Sequence, residues 1–509
     1  MAVKVFSCLI KGLQGTLIEV EADILQGLSA FSIVGLGDAS VQESKERIRS
    51  ALKNSNVNYP TQKKVINLAP ASLKKHGPIF DLPIAISLLL ASGQIPPEAV
   101  EKSIFVGELT LNGELRSISG ALSIAIFARD YGWKKLYLPK ENAKEASLIK
   151  EIEVYPIHSL PELIANLQGV HELKPQSPQK IPQSKIAEQN IDFTFIQGQE
   201  QAKRALEISA AGAHHLLLYG PPGVGKTMLA KGLMSLLPPL SQEEYFETLQ
   251  IHSSAGLISD TNELHLQRPF QALHHSASLI SMIGGGALLK PGEISRAHNG
   301  ILFLDEIAEF PRAHLEALRQ PLEERKIHLS RSLGSATFPA AFTLIAAMNP
   351  CPCGFFGDPK KSCTCTAAAI QNYQRKISGP ILDRLDLTVS LSRQKFQLNK
   401  ETMPPPNFQK LQERIQTARE IQQKRYQGTP FRTNSQLTTP AIHTFIKLNT
   451  EAEAFLQEVS QKMDLSTRSQ LHLLKTSQTI ADLSQKKQIT ITELAEALQF
   501  RQTSIFTNS

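Results

Sequence analysis

The sequence predicts an α/β protein organised on a phosphate-binding loop, and three observations carry that expectation. The run Gly220-Pro221-Pro222-Gly223-Val224-Gly225-Lys226-Thr227 stands between the apolar stretch His215 to Tyr219 and the helical stretch Met228 to Met234, so its glycines fall at a strand-to-helix turn. Two further apolar runs of strand length end in polar groups, Gly300 to Leu304 in Asp305 and Glu306, and Phe342 to Met348 in Asn349. Elsewhere strand-like and helical stretches alternate along the chain.

Each of these elements has a chemical reason. Glycines let backbone N–H groups converge on phosphate oxygens, and the N-terminus of the following helix adds a partial positive charge. Lys226 can then reach the β- and γ-phosphates, and Thr227 can ligate Mg²⁺. A fully buried strand puts its last acid at the carboxyl edge of a parallel sheet, so Asp305 is expected to hold the Mg²⁺ through water and Glu306 to orient the attacking water. The Asn349 amide can hydrogen-bond both the γ-phosphate and that water.

At 509 residues the chain exceeds a single core, and about 150 residues per domain suggests roughly three. Its net charge of +7 arises from 54 basic and 47 acidic residues, a mild bias that permits a polyanionic partner. The longest apolar run, Leu82 to Ala91, contains Pro83 and is far short of a membrane span, and the N-terminus lacks a charged-then-apolar leader. The expected setting is the cytoplasm, with no membrane partner. Of five cysteines, Cys8 stands alone and four crowd between 351 and 365, which suits a reduced compartment with a local metal site better than a disulfide framework.

From residue 1 to about 170 the chain reads as a separate α/β domain, with β-like runs at Leu17 to Ala22 and Phe31 to Gly37 and a helix from Ser40 to Asn54. Lys63-Lys64 and Lys74-Lys75 either face nucleic-acid phosphates or solvate the surface. Residues 171–190, rich in Pro, Gln, Ser and Lys, read as a flexible linker to an ATPase-like core at 191–395. Inside the core, Ile327 to Phe338 reads as a hairpin, either an ordinary surface one or one that offers Lys326 and Arg331 to phosphates. His274 and His275 have no matching acid or cysteine spacing and read as structural.

Cys351, Cys353, Cys363 and Cys365 form C-x-C-x₉-C-x-C, four thiolates that either close a tetrahedral Zn²⁺ site or stand as reduced thiols in a packed loop. Arg384 lies between acids and has a local ion pair with Asp383 or Asp386 as its alternative role. The tail, 396–509, is helical from about Phe408, with a break near Gln427 to Pro440. One of its helices opens at Leu465 to Arg468 and shows an apolar face through Leu471, Leu474 and Ile480.

These stretches resemble known families. Lys74 to Ala85 and Phe105 to Gly113 are similar to the protease domain of Lon and the related domain of RadA ATPases. The Lon serine and lysine places are held here by Ile79 and Leu122, and an aliphatic side chain is no nucleophile, so this domain is expected to be proteolytically inactive. Gly198 to Ile208 resembles the helix that borders the adenine pocket in AAA+ ATPases.

The whole chain resembles the ComM (competence protein M) family of magnesium-chelatase-like AAA+ ATPases, on Gly284 to Gly286, Pro291 to Ser295, Leu318 to Glu323, Asn349 to Gly354 and Ile480 to Leu483. It departs at His214-His215, where the family tends to carry Gly-His-Asn, and after Arg468, where aromatic and basic residues are missing. The resemblance implies an AAA+ parallel-sheet core with a helical lid, ATP and Mg²⁺ as cofactors, and hexameric rings that move DNA during recombination of incoming strands. It makes Asn349 the first sensor, Arg384 an arginine reaching the neighbour's γ-phosphate, and Arg468 a second sensor closing over the nucleotide. DNA, further copies of the chain and other recombination proteins are the implied partners. The rival readings are a chelatase motor subunit, disfavoured by the fused Lon-like domain, an ATP-dependent protease, disfavoured by Ile79 and Leu122, and a nucleotide-gated scaffold.

Overall fold

The computed structural model describes residues 2–179, 181, 193, 196–258, 264, 267–286, 289–331, 334–393 and 405–501. The N-terminal part carries a seven-stranded mixed sheet. Its order runs Phe31–Val34, Lys63–Ala69, Gln14–Leu25, Val3–Lys11, Ser103–Phe105, Lys135–Pro139 and Glu153–Ile157. Alternate residues Ile18, Val20 and Ala22 join one buried core with the helix Asp81–Ala91. That helix is the long apolar run of the sequence, buried from Asp81 through Leu90, and no described helix is long and apolar enough to cross a membrane.

Two expectations change here. Lys64 and Lys75 are not on the surface: they are buried, with Lys64 Nζ donating to the carbonyls of Pro60 and Gln62 at 2.8 and 2.9 Å, and Lys75 Nζ to that of Leu68 at 2.6 Å. Backbone carbonyls hold these ammonium groups, so neither faces a nucleic-acid phosphate. Residues 171–179 of the expected linker lie along this domain, with Leu173 buried, Gln176 N donating to Val154 O at 2.7 Å and Gln179 N to Ser147 O at 3.1 Å. Positions 182–190 lie outside the described residues.

The second sheet is five-stranded and parallel, in the order Phe270–Leu273, Ile301–Leu304, Thr343–Met348, Leu216–Tyr219, Leu387–Ser390. Its strands are near-continuous apolar runs because both faces are covered. Leu216, Leu218, Ile301, Phe303, Ile345 and Ala347 pack on the side of the helices Glu200–Gly212 and Lys226–Leu236, while Leu217, Leu302, Leu304, Leu344, Ala346 and Met348 pack on the other. The strand ending before Asn349 thus lies between the strand feeding the glycine loop and the strand ending before Asp305. All three polar ends emerge at one edge.

The hairpin is formed by Lys326–Arg331 and Gly334–Pro339. C-terminal helices Pro405–Arg425, Thr439–Phe445, Thr450–Lys462, Thr467–Leu483 and Ile491–Gln499 share a core with the first face of the parallel sheet. The N-terminal domain is joined to the ATPase-like core through Ala121–Asp130 and Gln242–Ala255. Leu122, Ala125, Tyr245 and Leu249 lie in one buried cluster across this joint. Polar contacts frame it: Gly120 N donates to Ser253 O at 2.9 Å, Ser254 Oγ to Gly12 O at 2.9 Å and Gln250 Nε2 to Leu13 O at 3.1 Å.

Candidate nucleotide-binding site

Gly223 and Gly225 take left-handed backbone, with φ of 79° and 90°, and the turn they make delivers Lys226 to the first position of the helix Lys226–Leu236. No side chain caps that N-terminus, which leaves its first N–H groups in the arrangement that binds a phosphate. Lys226 Nζ donates to Asn349 Oδ1 at 2.7 Å and to the loop carbonyls of Gly220 and Pro221 at 2.6 and 3.2 Å. Thr227 Oγ1 donates to Asp305 Oδ2 at 3.0 Å. Folding thus gathers Lys226, Thr227, Asp305 and Asn349, the lysine and asparagine from 123 positions apart.

Glu306 follows Asp305 in exposed, left-handed backbone (φ 52°), and its N–H donates to Asp305 Oδ1 at 3.1 Å. Burial pushes the Lys226 ammonium down to about 8, and the charges of Asp305 and Glu306 offset this only in part. A triphosphate would supply the missing negative charge. The hydroxyl of Thr227 and carboxylate of Asp305 are hard oxygen donors on one side of the loop, a set that fits Mg²⁺ with the rest of its shell left to water and phosphate.

Directly beyond Asn349, the sulfurs of Cys351, Cys353, Cys363 and Cys365 lie within 4.8 Å of one another, close enough for the group to hold a metal ion. Their loop meets the phosphate loop: a Cβ on Gly354 would stand 2.8 Å from Pro222 Cδ.

Arg384 and Arg468 are brought together elsewhere. Arg384 Nη2 contacts Glu323 Oε1, and Arg468 Nη2 lies 3.7 Å from the same oxygen. Both line a cavity of about 710 Å³ with Arg325, Arg432 and Lys475, and its wall includes none of residues 220–227. The expected local partners of Arg384 are not used, because Glu323 takes the guanidinium while Asp386 is held by His214 and His472. Nor does Arg468 close over the glycine loop of its own chain. Its helix, Thr467–Leu483, is fixed by packing on Glu200–Gly212 and Pro405–Arg425, which carries Arg468 to Glu323 instead. Lys326 lines the same cavity, apart from Arg331 at the other end of its strand.

Sequence reasoning missed a buried polar chain between core and lid. Asp386 accepts from the N–H of His215 at 3.1 Å and sits 3.1 Å from His214 Nδ1, and His214 Nε2 meets Thr479 Oγ1 at 2.7 Å. Thr479 then accepts from Asn434 Nδ2 at 2.9 Å, which also donates to Asp482 at 2.8 Å, and Arg425 Nη1 donates to Asp482 at 3.0 Å. Burial alone would raise the Asp386 carboxyl, but His472 and His214 outweigh it and hold the group well below the usual carboxylate range. The departure at His214-His215 was the one visible signal, and it marks a structural joint: His214 belongs to the chain, while the ring of His215 accepts from Leu344 N at 2.9 Å. His274 contacts Ser276 Oγ at 2.7 Å.

A parallel sheet of this order, with a glycine loop on one strand, paired acids and an asparagine on its neighbours, and a helical lid, is an AAA+-type nucleotide-binding architecture. Family models agree along the chain: "Magnesium chelatase, subunit ChlI" matches residues 192–399, "Subunit ChlI of Mg-chelatase" 20–142, and "Magnesium chelatase, subunit ChlI C-terminal" 407–501. The chain is 40% identical to the competence protein ComM of Haemophilus influenzae over 509 residues, covering 98% of this chain and 97% of that one. It is 42% identical to the Escherichia coli protein YifB over 492 residues, 96% of this chain and 95% of that one. Lon protease 2 of Bacillus subtilis is 27% identical over 181 residues, 31% of this chain and 33% of the protease, a likeness that falls in the N-terminal region. The chain belongs to the ComM/YifB family of magnesium-chelatase-like AAA+ proteins. Membership implies a nucleotide, Mg²⁺ and ATPase chemistry.

Proposed function

We propose that this protein is a Mg²⁺-dependent ATPase that assembles into a homo-hexameric ring and moves DNA, by translocation, unwinding or branch migration, in recombination of incoming strands. The cytoplasm is its proposed setting, and other recombination proteins its further partners. Hydrolysis belongs to Lys226, Thr227, Asp305, Glu306 and Asn349 of one subunit. Arg384, with Arg468 beside it and away from its own glycine loop, acts on the neighbour's nucleotide once the ring forms.

The observation that carries the DNA part is a set of uncompensated cations. Arg331 stands at the hairpin tip, opposite Gly334, and a Cβ on Gly334 would lie 3.1 Å from Lys11 Nζ of the N-terminal domain. A Cβ on Gly285 would lie 3.9 Å from the Arg331 guanidinium, and Gly285 pairs with Lys290. Lys11 and Lys290 line one cleft at the joint. Among the described residues none of these three side chains forms a hydrogen bond or ion pair, so three neighbouring segments present positive charge that an external polyanion could neutralise. The competence role named for the Haemophilus relative agrees with such a partner.

The test is ATP hydrolysis and strand displacement on forked and four-way DNA, with and without Glu306→Gln, together with binding to single-stranded DNA across a salt series. DNA should stimulate turnover, and Lys11→Gln or Arg331→Gln should each lower the slope of log affinity against log salt by about 0.7, whereas Lys150→Gln should leave it unchanged. A wild-type protein that ignores DNA in all three assays ends the motor reading and favours the chelatase-like or scaffold one.

A further inference from the structure

The loop from Cys351 to Thr366 has almost nothing apolar to hold it. Within it only Cys351 and Gly354 are buried, and Phe356 is 45% exposed. Yet it presses against Pro222 through Gly354, which adopts φ 83°, and it begins two residues after the Lys226 partner Asn349. Something other than a hydrophobic core must fix it.

An ion pair from Arg393 to Asp358 at 2.7 Å supplies part of that, and the sulfurs the rest. Cys351 and Cys353 are 3.3 Å apart, Cys353 and Cys363 3.5 Å, and Cys351 and Cys363 3.6 Å. These separations are far beyond an S–S bond of about 2.05 Å. They approach the edge of about 3.8 Å of a tetrahedron with metal–sulfur bonds of about 2.3 Å. Backbone N–H groups point at three of the sulfurs: Phe356 N to Cys351 at 3.3 Å, Cys353 N to Cys365 and Cys365 N to Cys363, each at 3.4 Å. Such donors favour the thiolate over the thiol and orient the ligands of a metal.

We propose that Cys351, Cys353, Cys363 and Cys365 bind one Zn²⁺ as four thiolates, and that the metal braces the glycine loop and Asn349 for nucleotide binding. Four soft sulfurs with no open position make this a closed structural site. Binding releases the thiol protons still present and leaves sulfur oxidation states unchanged. The brace rests on reading residues 220–227 as the nucleotide loop; the metal assignment does not.

Full-length protein purified without chelator should carry one zinc per chain by inductively coupled plasma mass spectrometry. Titration with a thiol-specific mercurial should release that zinc as four thiols react, a readout that needs no variant to fold. Exchange with Co²⁺ should give the intense charge-transfer and visible bands of a tetrahedral thiolate site, and Cys363→Ser/Cys365→Ser should abolish them. Protein free of metal that takes up none, or one bearing an iron–sulfur chromophore, overturns the zinc assignment. Metal-free protein should bind a fluorescent ATP analogue at least several-fold more weakly. Equal affinity with and without zinc overturns the brace alone, and a zinc-loaded protein that binds no nucleotide overturns the brace together with the nucleotide reading beneath it.

Discussion

Glu306 occupies backbone that only glycine adopts freely, directly after the strand carboxylate Asp305. Strain of this kind is kept where it aims a side chain, and its proposed aim here is the water that attacks the γ-phosphate. Glu306→Gln should therefore preserve ATP binding and lower turnover by at least about 100-fold, measured by equilibrium nucleotide binding beside steady-state hydrolysis; substantial residual turnover would remove Glu306 from its role. Lys226 makes a second prediction. Its free-site value is about 8, and bound triphosphate raises it, so the complex holds a charged amine that the free site loses as pH climbs through 8. ATP affinity should fall above that pH, and near it each binding event should take up about half a proton, read by calorimetry in buffers of different ionisation enthalpy. At this scale the grouping of Lys226, Thr227, Asp305 and Asn349 was legible because each motif needs fixed side chains at fixed spacing. Lys64 and Lys75 were not, because a lysine that caps carbonyls inside a fold looks in sequence like one that faces solvent.

Elements carried a different share. The three central strands of the parallel sheet were readable as apolar runs next to polar groups, and the hairpin at Lys326–Arg331 and Gly334–Pro339 by its glycine/serine turn, whereas the edge strands Phe270–Leu273 and Leu387–Ser390 were not read. The polar chain through Asp386, His214, Thr479, Asn434 and Asp482 was not, since it joins the core to the lid through His214 and Thr479, 265 positions apart, and no local pattern announces a long-range hydrogen bond. It makes the lid costly to detach. Asp482→Ala would leave Arg425 and Asn434 without their buried acceptor, and the expected loss is about 3–5 kcal/mol, visible as a lowered midpoint in chemical denaturation. A change within error would show that water replaces the carboxylate. The same packing explains Arg468, whose place depends on where its helix docks rather than on the residues around it.

On the scale of the whole molecule, Arg384 and Glu306 are proposed to belong to one active centre drawn from two chains. Arg384→Ala and Glu306→Gln should each be inactive alone, yet an equimolar mixture should regain part of wild-type hydrolysis at interfaces where an intact Glu306 faces an intact Arg384. No recovery at any protein concentration would place Arg384 outside the neighbour's site. The seam between the N-terminal domain and the core also bears on peptidase chemistry. Leu122, which the resemblance matches to the lysine of Lon-type proteases, is fully enclosed in the cluster that includes Tyr245 and Leu249. An amine restored at that position would have to lose its hydration against a tyrosine and a leucine, and would prise the two halves apart before it could activate any serine. Ile79→Ser with Leu122→Lys is therefore expected to loosen this joint without creating a peptidase.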